Sequence, residues 1–154
     1  MTVSLRPVVD DDLETLFAFQ ADPVAAQLGA LKVRSREAFF AHWRQTVLPN
    51  ADSVVRVIEV AGAVAGSVVS FRLEASEPLS VGYLLGQAFW GRGVATEALR
   101  LFLLQHERRR PLVASVAVGN PASGRVLEKC GFVAEGLPKA AEDGVVERHF
   151  RLER

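Results

Sequence analysis

A single cysteine, Cys130, leaves this chain no intrachain disulfide and no cysteine-pair metal site. His42, His106 and His149 are the only histidines, and their spacing does not suit zinc, so no metal is expected. Neither sign of charge prevails. The 18 basic and 18 acidic residues give a formal net charge of zero, which argues against a dominant nucleic-acid surface. One basic run, Arg108–Arg110, has two readings. It is either a helix C-terminus, where cations offset the helix dipole, or an RNA-facing patch. No apolar run approaches the roughly 20 residues of a membrane helix. Met1 to Pro7 lacks the basic-then-apolar pattern of a secretory leader. A cytoplasmic protein with no membrane partner is therefore the expectation.

What is present suits one folded domain spanning residues 1–154. The chain has 49% apolar and 23% charged residues, a globular mixture of a size for a single core. Leu5 to Val9 reads as a short strand, followed by Asp10, Asp11 and Asp12 as capping and dipole-matching carboxylates. A helix through Leu13, Leu16, Phe17 and Phe19 comes next, and Pro23 and Gly29 punctuate the stretch after it. Ser35 caps a second helix that carries Phe39, Phe40 and Trp43 and ends near Pro49. Ser53 to Val60 and Ser67 to Leu73, rich in Val and Ile around Gly62 and Gly66, form a hairpin signal. Pro78 to Leu85 reads as the third strand of this central sheet.

Val94 to Glu107 is a helix, because Ala95, Ala98, Leu99 and Phe102 recur at helical spacing. Leu112 to Val118 reads as a buried strand, and Pro121 to Lys129 as a short helix with Pro at its start and Gly131 at its close. Phe132 to Glu135 and Val145 to Leu152 are strands flanking a turn at Asp143-Gly144. The order β-α-α-β-β-β-α-β-α-β-β predicts an α/β domain with a mixed sheet.

The informative segment joins a strand to a helix: Gly86-Gln-Ala-Phe-Trp-Gly91-Arg-Gly93-Val-Ala95-Thr-Glu97. Gly91 and Gly93 allow a tight turn and a close ligand approach. The following amides open a helix, where unpaired N–H groups and the dipole favour a phosphate. A Walker loop requires Lys then Ser or Thr after its second glycine, but Arg92 and Gly93 stand there. A dinucleotide fingerprint requires a third glycine where Thr96 stands, and the unit lies late in the chain. A coenzyme A site is the third reading.

Gly82-Tyr83-Leu84 and Phe89 through Leu99 resemble the acyl-CoA motif of the GNAT superfamily of N-acetyltransferases. Asn120-Pro121-Ala122-Ser123 and Val126 through Phe132 resemble the second conserved block of the branch that includes the ribosomal-protein N-terminal acetyltransferases. The resemblance implies a mostly antiparallel mixed sheet with flanking helices and a splayed strand pair at the acyl-CoA site. It implies that backbone amides of Arg92, Gly93, Val94, Ala95 and Thr96 hold the pyrophosphate of acetyl-CoA. Tyr83 and Leu84 would lie along the splay, where the pantetheine arm adds backbone hydrogen bonds to the sheet. Asn120 would bond the pantetheine or the departing sulfur, and Ser123 would protonate the thiolate. Arg125 and Lys129, four apart on one helix face, either reach the 3′-phosphate or are solvated charge. Relatives of this branch are often homodimers.

Structural readings stand beside these. Asn120 and Ser123 also suit caps for the helix at Pro121, and Gly93 and Ala95 suit helix–sheet packing. Glu97 fits a dipole partner, Cys130 a buried thiol and Trp90 a pocket wall. The reaction implied is attack of a neutral amine on the thioester, but no base stands out. Ser80-Val81 occupies the place before Gly82-Tyr83 where relatives often carry Glu, leaving Glu74, Glu77, Glu147 and His149 as candidates. Three functions follow: acetylation of a peptide N-terminus, acetylation of a small amine, or coenzyme binding without catalysis.

Overall fold

A computed structural model describes residues 2–29 and 32–154. Seven strands form one sheet: β1 (Val3–Arg6), β2 (Val54–Val60), β3 (Ala63–Phe71), β4 (Leu79–Leu85), β5 (Leu112–Ala117), β6 (Val133–Ala140) and β7 (Val146–Leu152). Five α-helices accompany them: α1 (Leu13–Ala21), α2 (Pro23–Gly29), α3 (Arg36–His42), α4 (Val94–Gln105) and α5 (Pro121–Lys129). The sheet order is β1-β2-β3-β4-β5-β7-β6. Every neighbouring pair is antiparallel except β4–β5.

That parallel pair is short. Only Leu79 opposite Leu112 and Ser80 opposite Val113 are in register, although β4 continues to Leu85 and β5 to Ala117. Beyond Ser80 the two strands part. On its other side β4 stays paired with β3 from Gly66–Leu85 to Phe71–Ser80, so the splay exposes a single edge of an otherwise anchored strand.

The sheet is covered on both faces. α4 turns Val94, Ala98, Leu99, Phe102 and Leu103 inward to join Ile58, Ala65, Leu112 and Phe150 in the main core. Burying a side chain of this size contributes roughly 1.5–3 kcal/mol. α5 packs on the same face, where a Cβ added at Gly124 would meet the Phe150 ring at 3.3 Å. The opposite face carries a smaller cluster of Leu13, Leu16 and Phe39 with Phe17, Phe40 and Trp43 from α1, α3 and the π-helical turn Trp43–Val47. Ala65 belongs to the first cluster and Val64 packs on the second, as strand alternation requires.

Several boundaries differ from the sequence reading. β1 covers Val3–Arg6 rather than Leu5–Val9, because Pro7 has no N–H to continue the ladder. Asp10–Asp12 form a 3-10 turn and make no side-chain cap to α1. Asp12 is instead buried, accepts from both terminal guanidinium nitrogens of Arg6 at 2.8 Å and accepts the Val9 N–H at 2.8 Å. Pro23 to Gly29 is a helix, with Pro at a position where its missing N–H costs nothing. β3 begins at Ala63 and β6 runs on to Ala140 past a register shift.

The basic run is engaged at the helix end. Arg108 bonds the Leu104 carbonyl, and Arg110 the Glu107 carbonyl. Arg109 pairs with Glu107 and Asp52. Among the described residues, no helix is long and apolar enough to cross a membrane.

Candidate active site

The parting of β4 from β5 opens a cleft of about 600 Å³. β4 leads directly into it. After Leu85 the chain passes Gly86, a 3-10 turn at Gln87–Phe89, and then Gly91 and Gly93 at φ 70° and 76°. Those left-handed conformations suit glycine. A Cβ at either position would meet nothing within 4 Å, so the glycines serve the turn and leave space above it. Trp90 braces the turn by donating its indole N–H to the Leu85 carbonyl at 3.1 Å.

Gly93 caps α4 without a side-chain bond, and the first helical bond runs from the Glu97 N–H to the Gly93 carbonyl at 3.1 Å. The N–H groups of Val94, Ala95 and Thr96 therefore precede any intrahelical acceptor. They stand at the positive end of a 12-residue helix, on the cleft wall.

The other sequence-singled residues converge on the same cleft. Tyr83, Leu84, Asn120, Ser123, Arg125 and Lys129 all line it. Arg92 lies beside the turn, with its guanidinium 5.7 Å from the Phe89 ring centroid. Asn120 makes no cap to α5; its amide donates to Ser123 Oγ at 3.0 Å, and the Tyr83 hydroxyl donates to the same oxygen at 3.0 Å. Burial pushes the Tyr83 phenol above its ordinary range, against the weaker pull of the Ser123 bond. Glu97 is tied to Arg100 at 2.6 Å. The Cys130 thiol lies 3.6 Å from the Thr96 carbonyl, and burial pushes its pKa up, the wrong direction for a nucleophile.

The four candidate bases separate. Glu74 and Glu77 sit in the β3–β4 connection, at the closed end of β4, where their main chains bond each other and Arg72 holds the Glu77 carbonyl. Glu147 of β7 lines the cleft. His149, two residues along the same strand face, shares a 3.0 Å hydrogen bond with Ser115 of β5. Sequence reading missed the wall formed by α2, where Ala25, Leu28 and Gly29 line the cleft. Pro23 was its signal, as a helix-starting proline.

A profile described as "Acetyltransferase (GNAT) domain" matches residues 2–133. The chain belongs to the GNAT acetyltransferase family. A probable N-acetyltransferase, YjcK, of Bacillus subtilis is 38% identical over 74 residues, spanning 45% of this chain and 41% of that relative. The aligned stretch is thus well under half of YjcK. Among solved structures, RimL, a ribosomal L7/L12 alpha-N-protein acetyltransferase in complex with coenzyme A, superposes with a TM-score of 0.83 at 23% identity, covering 99% of this chain and 94% of that one. Spermidine N-acetyltransferase from Vibrio cholerae, in complex with CoA and spermine, gives 0.82 at 16% identity, covering 98% and 95%. The GNAT fold thus extends over the whole chain, including the β6–β7 hairpin beyond the profile match.

Proposed function

We propose that this GNAT protein transfers the acetyl group of acetyl-CoA to the α-amine of a peptide or protein N-terminus. The observation that carries the reading is the free edge of β4 beyond Ser80, running straight into the Gly91–Thr96 turn. An extended arm adds to such an edge by backbone hydrogen bonds, and the pyrophosphate of the same molecule meets the amides of Gly93 to Thr96. Arg125 and Lys129, which line the cleft, add positive charge beside that path.

On the amine side, Glu147 is the carboxylate that faces the cleft. In this mechanism it takes the proton as the amine attacks, directly or through one water. A backbone N–H of β4 stabilises the oxyanion as it forms, and Ser123 returns a proton to the departing sulfur. The choice of amine follows from pKa. An α-amine titrates near about 8 and a lysine near about 10.4, so presenting a neutral lysine costs roughly 3 kcal/mol more. A site with one carboxylate and an apolar wall of Ala25 and Leu28 matches the α-amine. A polycation such as spermidine calls for several carboxylates.

Thiol release measured on matched substrates tests this. A peptide with a free N-terminus should exceed both an N-blocked lysine peptide and spermidine by about 100-fold or more in kcat/KM, the order expected from the pKa gap. Preference for spermidine would overturn the acceptor assignment. Coenzyme binding with no turnover on any amine would overturn catalysis.

A further inference from the structure

Resting on the acyl-transfer reading above, we infer that Asp52 clamps the closed end of the fork and fixes the spacing between β4 and β5 that an acyl-CoA arm needs. β4 and β5 run parallel, so both enter the sheet from one side. Their rungs, Leu79–Leu112 and Ser80–Val113, stand immediately after that entry. Glu77 lies two residues before the first rung on β4, and Arg109 three residues before it on β5. Both approaches are tied to one carboxylate. Arg72, just past β3, donates from Nη1 to the Glu77 carbonyl at 2.7 Å and from Nε to Asp52 Oδ2 at 3.0 Å. Arg109 donates from Nη1 to Asp52 Oδ1 and from Nη2 to the Asp52 carbonyl, each at 2.7 Å. Behind Arg109, Glu107 accepts its Nε and the Ser70 hydroxyl, each at 2.8 Å, and Ser70 Oγ accepts the Val54 N–H at 3.1 Å. The path Glu77–Arg72–Asp52–Arg109–Glu107 thus joins the start of β4 to the start of β5 across the ends of β2 and β3.

Such a path is a poor source of stability. The Asp52 and Arg109 side chains are each 45% exposed, and wet ion pairs contribute little. Glu107 is fully buried, so its pairing must first offset the loss of water. What the path supplies is fixed geometry. β4 runs on from its last rung at Ser80 to Leu85, so slight play at the rungs grows along the strand. A chain lying between two strands sets them two strand spacings apart, roughly 9–10 Å. Cutting the path lets the fork sample other widths, and apparent affinity falls with the fraction of time the right width is present. Asp52 does not line the cleft; it is a positioning residue acting through the two strands.

Asp52→Ala cuts both side-chain ties. Its dissociation constant for acetyl-CoA should rise about ten-fold, as for a fork of the right width about a tenth of the time. At saturating coenzyme its kcat should stay within about two-fold of the unsubstituted chain. Adenosine 3′,5′-bisphosphate, a coenzyme fragment without the pantetheine arm, should bind both chains equally. Tm without ligand should fall by no more than about 4 °C, the scale of an exposed ion pair. Arg72→Met interrupts the same path one step earlier. The double variant should bind no more weakly than the weaker single one, because a path in series is cut only once. Unchanged acetyl-CoA affinity in Asp52→Ala would overturn the clamp. So would an equal loss for coenzyme and fragment, or additive losses in the double variant. Amide exchange at Leu79–Val81 and Leu112–Ala114 gives a readout that needs no coenzyme. Exchange there should quicken in ligand-free Asp52→Ala, and unchanged exchange would overturn the clamp. An unsubstituted chain that binds no acetyl-CoA would sink the reading above instead, and the exchange measurement would still decide whether Asp52 holds the fork.

Discussion

The cleft wall made by β4, the glycine turn and α4 offers a ligand backbone groups. The wall made by α2, β5 and β7 offers side chains: Leu28, Ser115 and Glu147 among them. Backbone groups recognise what every acyl-CoA shares, a pyrophosphate and an amide-bearing arm, and they depend on conformation rather than side-chain identity. Side chains recognise what differs between amines. One wall is a continuous turn and the other a set of scattered positions, so on the reading proposed above the first specifies the acyl donor and the second the amine.

The comparison breaks most readily at the turn. Gly93→Glu forces a left-handed conformation that costs a non-glycine residue roughly 1–2 kcal/mol and brings a carboxylate toward the pyrophosphate. Acetyl-CoA affinity should fall by at least about 100-fold, seen as loss of the ligand-induced rise in Tm in a chain whose circular dichroism is unchanged. Retained binding would show that the backbone turn is not the phosphate cradle.

Glu147→Gln is the matching change on the opposite wall. It should reduce kcat/KM by about 100-fold while leaving acetyl-CoA binding untouched, since a positioned base contributes on that order. A variant that loses coenzyme affinity instead would erase the division between the walls.

Buried carboxylates anchor elements on both faces of the sheet. Asp12, ahead of α1, is held below the usual carboxylate range chiefly by its bonds to Arg6, which outweigh burial. Glu107, just past α4, is fully buried. Burial would push its carboxyl up, but Arg109 and the Ser70 hydroxyl together hold it below its usual value. Depressed carboxyl pKa values contribute stability that is fully present above the unfolded-state values, near about 4. That stability is lost as pH falls through the lower folded-state values. Urea midpoints should therefore drop below about pH 4. Asp12→Asn should cost about 2 kcal/mol, the scale of hydrogen bonds to a charged group, and flatten the acid limb.

The smallest effect is expected at Leu28→Ala. Leu28 is 38% exposed, so shortening it should shift the KM for different peptide N-termini by less than about ten-fold, below what even one methylene is worth in an enclosed apolar pocket. KM for acetyl-CoA should stay fixed.

Legibility in the sequence followed the same divide. The turn and the Asn120–Phe132 block are contiguous, and glycine positions, a helix start and a strand run suffice to read them. The wall of α2, β5 and β7 draws on residues that no local pattern connects. α2 is hidden in the sequence because Pro23 and Gly29 bound it so closely that little periodicity remains between them. Asp12 was read as a cap because its partner Arg6 is recognised only once β1 and the turn are folded together. Glu107 gave no sign of burial, since it precedes three arginines; its environment depends on Ser70 from β3, 37 residues away.

The two residue pairs that join β4 to β5 have a consequence for cooperativity. Hydrogen bonding divides the sheet into a four-strand piece, β1–β4, and a three-strand piece, β5–β7, joined at Leu79–Leu112 and Ser80–Val113. Such pieces open as partly independent units, and a ladder this short resists separation little compared with the core that α4 lays across it. On the reading proposed above, an arm lying in the fork would be a missing rung as well as a reactant, tying the two pieces into one cooperative unit for as long as it is bound.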